Sequence, residues 1–185
     1  HHPEIVMNYF GDGSGFDVRI RYSIEKELLG TAGALNNFRD FFDDTFIVFY
    51  GDVFTDTDIT KLIAFHKEKK SIATIGLYKV DNPSECGIVK LEENMRITRF
   101  VEKPGRHEIF TDLANAGLYV LEPLILNYIP ERGEYDFGKE LFPRLLREGK
   151  AIYGFPITDY LIDIGTKDKY ERAKKGLLAG RIHLC

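Results

Sequence analysis

Residues 45–50, TFIVFY, constrain the chain more than any other stretch: after Thr45 every residue is apolar, and the run passes directly into Gly51 and Asp52. A short apolar run without alternation predicts a strand buried on both faces, which needs covering layers on either side. Around it the hydrophobic period changes repeatedly. Residues 18–24 (VRIRYSI) alternate apolar with polar and predict a half-buried strand, and 71–80 (SIATIGLYKV), 113–121 (LANAGLYVL), AIYGFPI and YLIDIG predict further strands. Helical spacing intervenes. PEIVMNYFG predicts a short helix with Ile5, Val6, Tyr9 and Phe10 turned inward and Gly11 ending it. ALNNFRDFF places Leu35, Phe38 and Phe42 on one face, and DITKLIAFHKEKK places Ile59, Leu62 and Ile63 on another. EPLILNYI predicts a short helix, FGKELFPRLLREG a helix that continues past Pro143, and TKDKYERAKKGLLAG a last helix capped by Thr166. GIVKLEENMRITRFVEKP reads as a hairpin turning at Glu93 and Asn94.

Strands alternating with helices predict an α/β sandwich on a mixed, mostly parallel sheet, the hairpin adding some antiparallel pairing. Without an internal repeat or a low-complexity linker, residues 1–185 are expected to form one domain. Composition narrows the function classes. With 44% hydrophobic and 29% charged residues the chain is of the ordinary globular kind, and no apolar run is long enough to cross a bilayer. No signal-peptide pattern opens the chain, and a net charge of −4 argues against a nucleic-acid partner held through its phosphates. Cys86 and Cys185 make no disulfide framework and the five histidines show no metal-ligand spacing, so a reducing cytoplasmic setting is expected. The start His1-His2-Pro3, without Met, reads either as a tag remnant or as a chain that has lost its beginning.

Carboxylates at strand ends are the sharpest chemical signal. Ligands of open α/β sheets bind outside the carboxyl ends of the strands, where Asp52 follows its apolar run and Gly51 allows close approach. Asp163, in LIDIGT, repeats the pattern, and two such aspartates could share one Mg²⁺ together with water and phosphate oxygens. Equally, each could simply cap a turn. Asp56 and Asp58 form the D-x-D that glycosyltransferases use for a metal-bound sugar nucleotide, yet Asp58 stands where the N-cap of the following helix belongs. LGTAGAL could offer backbone amides of Gly30 and Thr31 to a base or phosphate, or serve tight packing alone. In RFVEKP, Glu102 and Lys103 end a strand before Pro104. Alternation should send them to different sides, one toward a sugar hydroxyl and one toward a phosphate, unless both are merely solvated. Asn115 is polar in an apolar strand and must bond the backbone or face a ligand.

GDGS, LGTAGAL, GDVFTDTD, ECGIV, FVEKP, NAGLYVL and DIGT occur here in the order found in the sugar-1-phosphate nucleotidylyltransferases. The chain most resembles the mannose-1-phosphate guanylyltransferase and glucose-1-phosphate thymidylyl- or uridylyltransferase branch, over essentially its whole length. That resemblance implies a GT-A-like, Rossmann-related fold and the reaction of an NTP with a sugar 1-phosphate to give an NDP-sugar and pyrophosphate. By likeness Asp52 and Asp163 hold Mg²⁺, with Asp52 also on the nucleotide side. Gly30 and Thr31 line the nucleotide site, Gly87, Glu102 and Asn115 contact the sugar, Lys103 its phosphate, and Gly117 packs close by. Cys86 replaces a usual Tyr, and Leu161 a common aromatic, so the sugar pocket is expected to differ. The family's opening GGxGTR loop and first strands are not in this sequence. The alternatives are therefore a catalytically incompetent sugar-phosphate-binding fragment or subunit and, against the evidence of FVEKP, a D-x-D glycosyltransferase. The oligomeric state is open, a homo-oligomer included.

Overall fold

The computed structural model describes residues 2–180. Its centre is β6 (Leu113–Leu121), nine residues of which seven are fully or almost fully buried. One flank of β6 carries β3 (Ala73–Lys79), antiparallel, and beyond β3 lies β7 (Ile152–Pro156), parallel to β3. The other flank is shared end to end by two short strands. β1 (Phe46–Phe49) pairs with residues 118–121 and β4 (Gly87–Leu91) meets β6 at Ala114, both antiparallel. β5 (Ile97–Glu102) completes the hairpin with β4, as its turn residues predict. A separate two-stranded ribbon joins β2 (Val53–Thr55) to β8 (Leu161–Asp163).

The sheet is thus mixed and mostly antiparallel, correcting the expectation of a mostly parallel one. Parallel neighbours require a crossover, usually a helix, between successive strands. Here β3 and β4 are separated by a turn with one short 3₁₀ segment, Pro83–Glu85, β4 and β5 form a hairpin, and β6 runs against all three of its partners.

Two cores form because side chains alternate along the central strands. On one face Leu118, Val120 and Ala116 pack with Leu62 of the helix at Ile59–Lys69. This helix starts where Asp58 accepts the Thr60 and Lys61 amides at 2.9 and 3.2 Å. It is tied down by buried His66, whose ring bonds Thr74 at 2.8 Å and Glu122 at 2.9 Å. On the other face Tyr119, Leu121, Ile75 and Leu77 pack against Phe137, Leu141, Phe142 and Leu145. Those residues come from a π turn at Phe137–Leu141 that continues as a helix at Phe142–Arg147. Pro143 sits within the first two helical positions, where its missing N–H costs nothing. The last helix, Lys167–Leu178, is capped by Thr166 as its sequence predicts.

Three local expectations fail. Residues 18–24 form neither strand nor helix. The helix at Pro3–Phe10 forms, but Ile5, Val6, Tyr9 and Phe10 are all exposed rather than inward. β1 is buried on one face only, with Ile47 and Phe49 39% and 45% exposed. In each case an apolar pattern names a face able to be buried without naming what covers it. Residues 34–41 coil as a kinked 3₁₀ helix, with Leu35 and Phe42 against the core.

Candidate active site

β1 and β4 run in the same direction along one flank of β6, so the end of β1 meets the start of β4 beside Asn115, Ala116 and Gly117. The strand ladder is interrupted there. A register shift between Ile75 and Leu77 marks a bulge in β6, and Gly117 takes a φ of +69°. A side chain at Gly117 would strike the Tyr50 ring at 2.9 Å, so the seam closes only because that residue is glycine. A cavity of about 310 Å³ opens at this seam, bordered by Tyr50 and Asp52 after β1, Cys86 and Gly87 at β4, and Glu102 and Lys103 after β5. The β2–β8 ribbon contributes Val53, Leu161 and Asp163. A volume of this size suits a small polar ligand.

Of the site residues that the resemblance implies, all but Gly30 border this one cavity: Thr31, Asp52, Gly87, Glu102, Lys103, Asn115, Gly117 and Asp163. Glu102 and Lys103 border the same cavity. Glu102 ends β5, and Lys103 lies just past it with a φ of +45°, in the left-handed region. The Lys103 amide donates to the Cys86 carbonyl at 3.0 Å, and among the described residues no carboxylate lies within ion-pair distance of its ammonium. Glu102 is wedged between two glycines. A Cβ at Gly87 or at Gly138 would collide with its carboxylate. Burial pushes the Glu102 carboxyl up, Lys103 opposing and Asp136 reinforcing. Among the described residues no protein donor bonds it.

Asn115 is bonded within the protein and also borders the cavity. Its amide donates to the Tyr119 hydroxyl at 2.8 Å and its carbonyl oxygen accepts the Gly117 N–H at 3.0 Å. Gly30 and Thr31 behave otherwise than a free amide cradle. The Thr31 amide and hydroxyl donate to Asp136 at 3.1 and 2.9 Å, the next two amides donate to the Tyr135 carbonyl, and Gly30, at φ +72°, packs on Tyr135 backbone. Burial works against ionisation of Asp136, but the Thr31 donors and Lys139 outweigh it and hold the carboxyl below the ordinary aspartate range. Asp136 and Lys139, both on the cavity wall, were not singled out by sequence reasoning. D-F-G-K opens a helical pattern, and only the π turn aims Lys139 toward the seam.

Asp52 and Asp163 converge. A Cβ at Gly165 would lie 2.9 Å from Asp163 Oδ1 and 3.4 Å from Asp52 Oδ2, so both carboxylates face one small space. Asp163 Oδ1 accepts the Gly165 amide at 2.7 Å and Oδ2 accepts the Lys169 ammonium at 3.0 Å. Burial opposes ionisation, and these donors more than offset it, holding the Asp163 carboxyl low. Among the described residues no three His, Cys, Asp or Glu side chains gather as a metal cage. Two hard carboxylates nonetheless suit Mg²⁺, which commonly takes one or two protein carboxylates and fills its remaining positions with water and substrate phosphate. Asp56 is elsewhere: its Oδ1 accepts the Tyr160 amide at 2.8 Å, and Asp58 caps its helix.

The profile of the nucleotidyl transferase family matches residues 1–180, and the chain belongs to that family. It is 38% identical to a UTP–glucose-1-phosphate uridylyltransferase from Synechocystis, over 98% of this chain and 50% of the relative. It is 35% identical to a mannose-1-phosphate guanylyltransferase from Mycobacterium tuberculosis, over 96% of this chain and 50% of the relative. The chain spans about half the length of the curated relatives it matches. Among solved structures, one from Bacillus anthracis, provisionally assigned as a glucose-1-phosphate thymidylyltransferase and crystallised with sucrose, superposes with a TM-score of 0.83 at 26% identity, covering 100% of this chain and 74% of that one. HddC from Yersinia pseudotuberculosis, in complex with GMP-PN, shares the fold at a TM-score of 0.75 and 24% identity, over 94% of this chain and 74% of its own. Among the described residues no helix is long and apolar enough to cross a membrane.

Proposed function

We propose that the seam cavity is the sugar 1-phosphate half of a nucleotidyl-transfer site, and that the protein forms an NDP-sugar and pyrophosphate from an NTP and a sugar 1-phosphate. One observation carries the reading: on the wall of one cavity a half-buried carboxylate, Glu102, stands beside a lysine, Lys103, and among the described residues neither has a protein donor or carboxylate partner of its own. A half-buried carboxylate with free lone pairs accepts hydrogen bonds, and a sugar hydroxyl supplies a donor. Lys103 meets the phosphate. Asn115 keeps its carbonyl locked on Gly117 and so presents a fixed dipole to the sugar. Thr31 and Gly30, braced on residues 135–136, shape the nucleotide side by surface rather than by free amides.

In the reaction a phosphate oxygen of the sugar phosphate attacks the α-phosphorus of the NTP. The new P–O bond forms as the α–β anhydride breaks and pyrophosphate leaves. Two polyanions must be held in line, and positioning with charge neutralisation does most of the catalytic work. Asp52 and Asp163 would hold Mg²⁺, which lessens the phosphate charge and polarises the phosphoryl oxygens. Lys103 neutralises the attacking phosphate, and Glu102 orients the ring. The relatives' names, a glucose 1-phosphate and a mannose 1-phosphate enzyme, support a hexose 1-phosphate as substrate.

Calorimetry on this chain tests the binding half. A hexose 1-phosphate should bind and the free hexose should not. Lys103→Met should weaken the phosphorylated ligand at least about tenfold, the loss of one charge-assisted contact. Glu102→Gln should weaken it too while leaving inorganic phosphate unaffected. Equal affinity for hexose and hexose 1-phosphate, or indifference to both substitutions, overturns the assignment.

A further inference from the structure

The Asp163 carboxylate already has a cation. Lys169, in the first turn of the last helix, places its ammonium 3.0 Å from Oδ2, while Oδ1 is fixed by the Gly165 amide at 2.7 Å. Each oxygen keeps a second lone pair, and a metal taken on either one would stand close to the Lys169 ammonium. Resting on the proposed metal reading of Asp52 and Asp163, we propose that Lys169 and a divalent cation are alternative partners of Asp163: the helix carries a tethered counter-ion that holds the carboxylate and leaves when metal binds.

Like charge, rather than a shortage of lone pairs, sets the two cations in competition. Mg²⁺ binds carboxylate oxygen at about 2.0–2.1 Å and Mn²⁺ favours the same oxygen ligands. An ammonium on the same carboxylate would then stand within a few ångströms of a dication, and like charges so close disfavour each other. Lys169 can yield cheaply. Its side chain is 41% exposed, it sits on a helix anchored separately by Thr166, and four methylenes let the ammonium swing into water while the stem stays on the surface. The pair has a use in the absence of metal. Asp52 and Asp163 face each other across Gly165, and two anions sharing one space repel. Lys169 supplies the compensating charge, so that Asp163 keeps its orientation and ionisation until metal arrives. Lys169 acts through Asp163 and is a positioning residue.

Mn²⁺ binding to this chain, followed by the free-ion signal in electron paramagnetic resonance up to millimolar metal, should be about two- to fivefold tighter in Lys169→Met than in the parent. That is the range expected for removing one partly exposed ion pair that competes with the ligand. Met keeps the helix propensity, and circular dichroism checks that the fold persists. Unchanged or weaker Mn²⁺ binding in the variant overturns the inference while leaving the metal site standing. Absence of Mn²⁺ binding in both proteins overturns the metal reading and this one with it. In the parent, acetylation of Lys169, read by peptide mass mapping at matched ionic strength, should rise when Mn²⁺ is added. In Asp163→Asn it should be high from the outset and indifferent to Mn²⁺. Labelling of the parent that stays flat or falls on metal addition would mean that the lysine remains on the carboxylate, and the inference fails.

Discussion

At Glu102 the needs of the ligand oppose those of the fold. Burial raises its carboxyl, Lys103 only partly compensating, so the folded state binds the proton more tightly than the unfolded chain does. Whatever this group contributes to stability is present below its unfolded pKa and is lost as pH rises through the folded one. Glu102→Gln should therefore be more stable than the parent at pH 7, with the advantage fading below about pH 4, where both states carry a proton. Urea melts at pH 7 and at pH 3.5 measure the difference, and a variant less stable at pH 7 would contradict the burial argument. Neighbouring residues show how far the sequence alone reaches. The F-V-E-K-P string points to Glu102 and Lys103. The positive φ of Lys103 is a conformation that no propensity assigns to lysine. Lys139 is invisible for a related reason, since a π turn leaves no periodic trace over five residues.

Among the elements, the helix at Ile59–Lys69 shows a motif answered by local geometry. Asp56 and Asp58 spell a metal-binding D-x-D, yet one pins Tyr160 and the other caps the helix. Asp58→Ala should lower the melting temperature by a few degrees, about the effect of losing an N-cap in a domain this size. Mn²⁺ binding should stay unchanged; a loss of metal affinity would restore Asp58 to the site. This cap, the Thr166 cap and the β4–β5 hairpin were all readable in advance, because each depends on residues within a few positions of one another. The strand expected at residues 18–24 was not. Its alternation describes a surface that could pair, whereas pairing is decided by whatever lies alongside.

For the molecule as a whole, the sheet's direction was the main misreading, and it has one physical source. Alternating strands and helices suggest crossovers, but the hairpin and the long central β6 turn most of the pairing antiparallel, leaving β3 and β7 as the parallel pair. β1 lies at the margin of this arrangement, paired with β6 alone among the described strands and showing Ile47 and Phe49 to solvent. Exposed apolar strand edges promote association between chains. Phe49→Thr keeps β propensity and removes the apolar surface, so light scattering at increasing concentration should show less self-association, with a melting temperature within about 2 °C of the parent. Association unaffected by the substitution would clear β1 of that role.

The end-to-end placement of β1 and β4 along β6 gives the cavity an unusual kind of boundary. Most pockets are bounded by loops and can widen or narrow as the loops grow or shrink. This one is a gap between two collinear strands, and its width is counted in backbone rungs. Lengthening β1 at its end, or β4 at its start, would narrow the gap along β6. Surface loops elsewhere can therefore drift in length without touching it, while the strands on either side cannot, and any redesign toward a bulkier ligand has to work through side chains such as Cys86 and Leu161 rather than through the backbone that frames them.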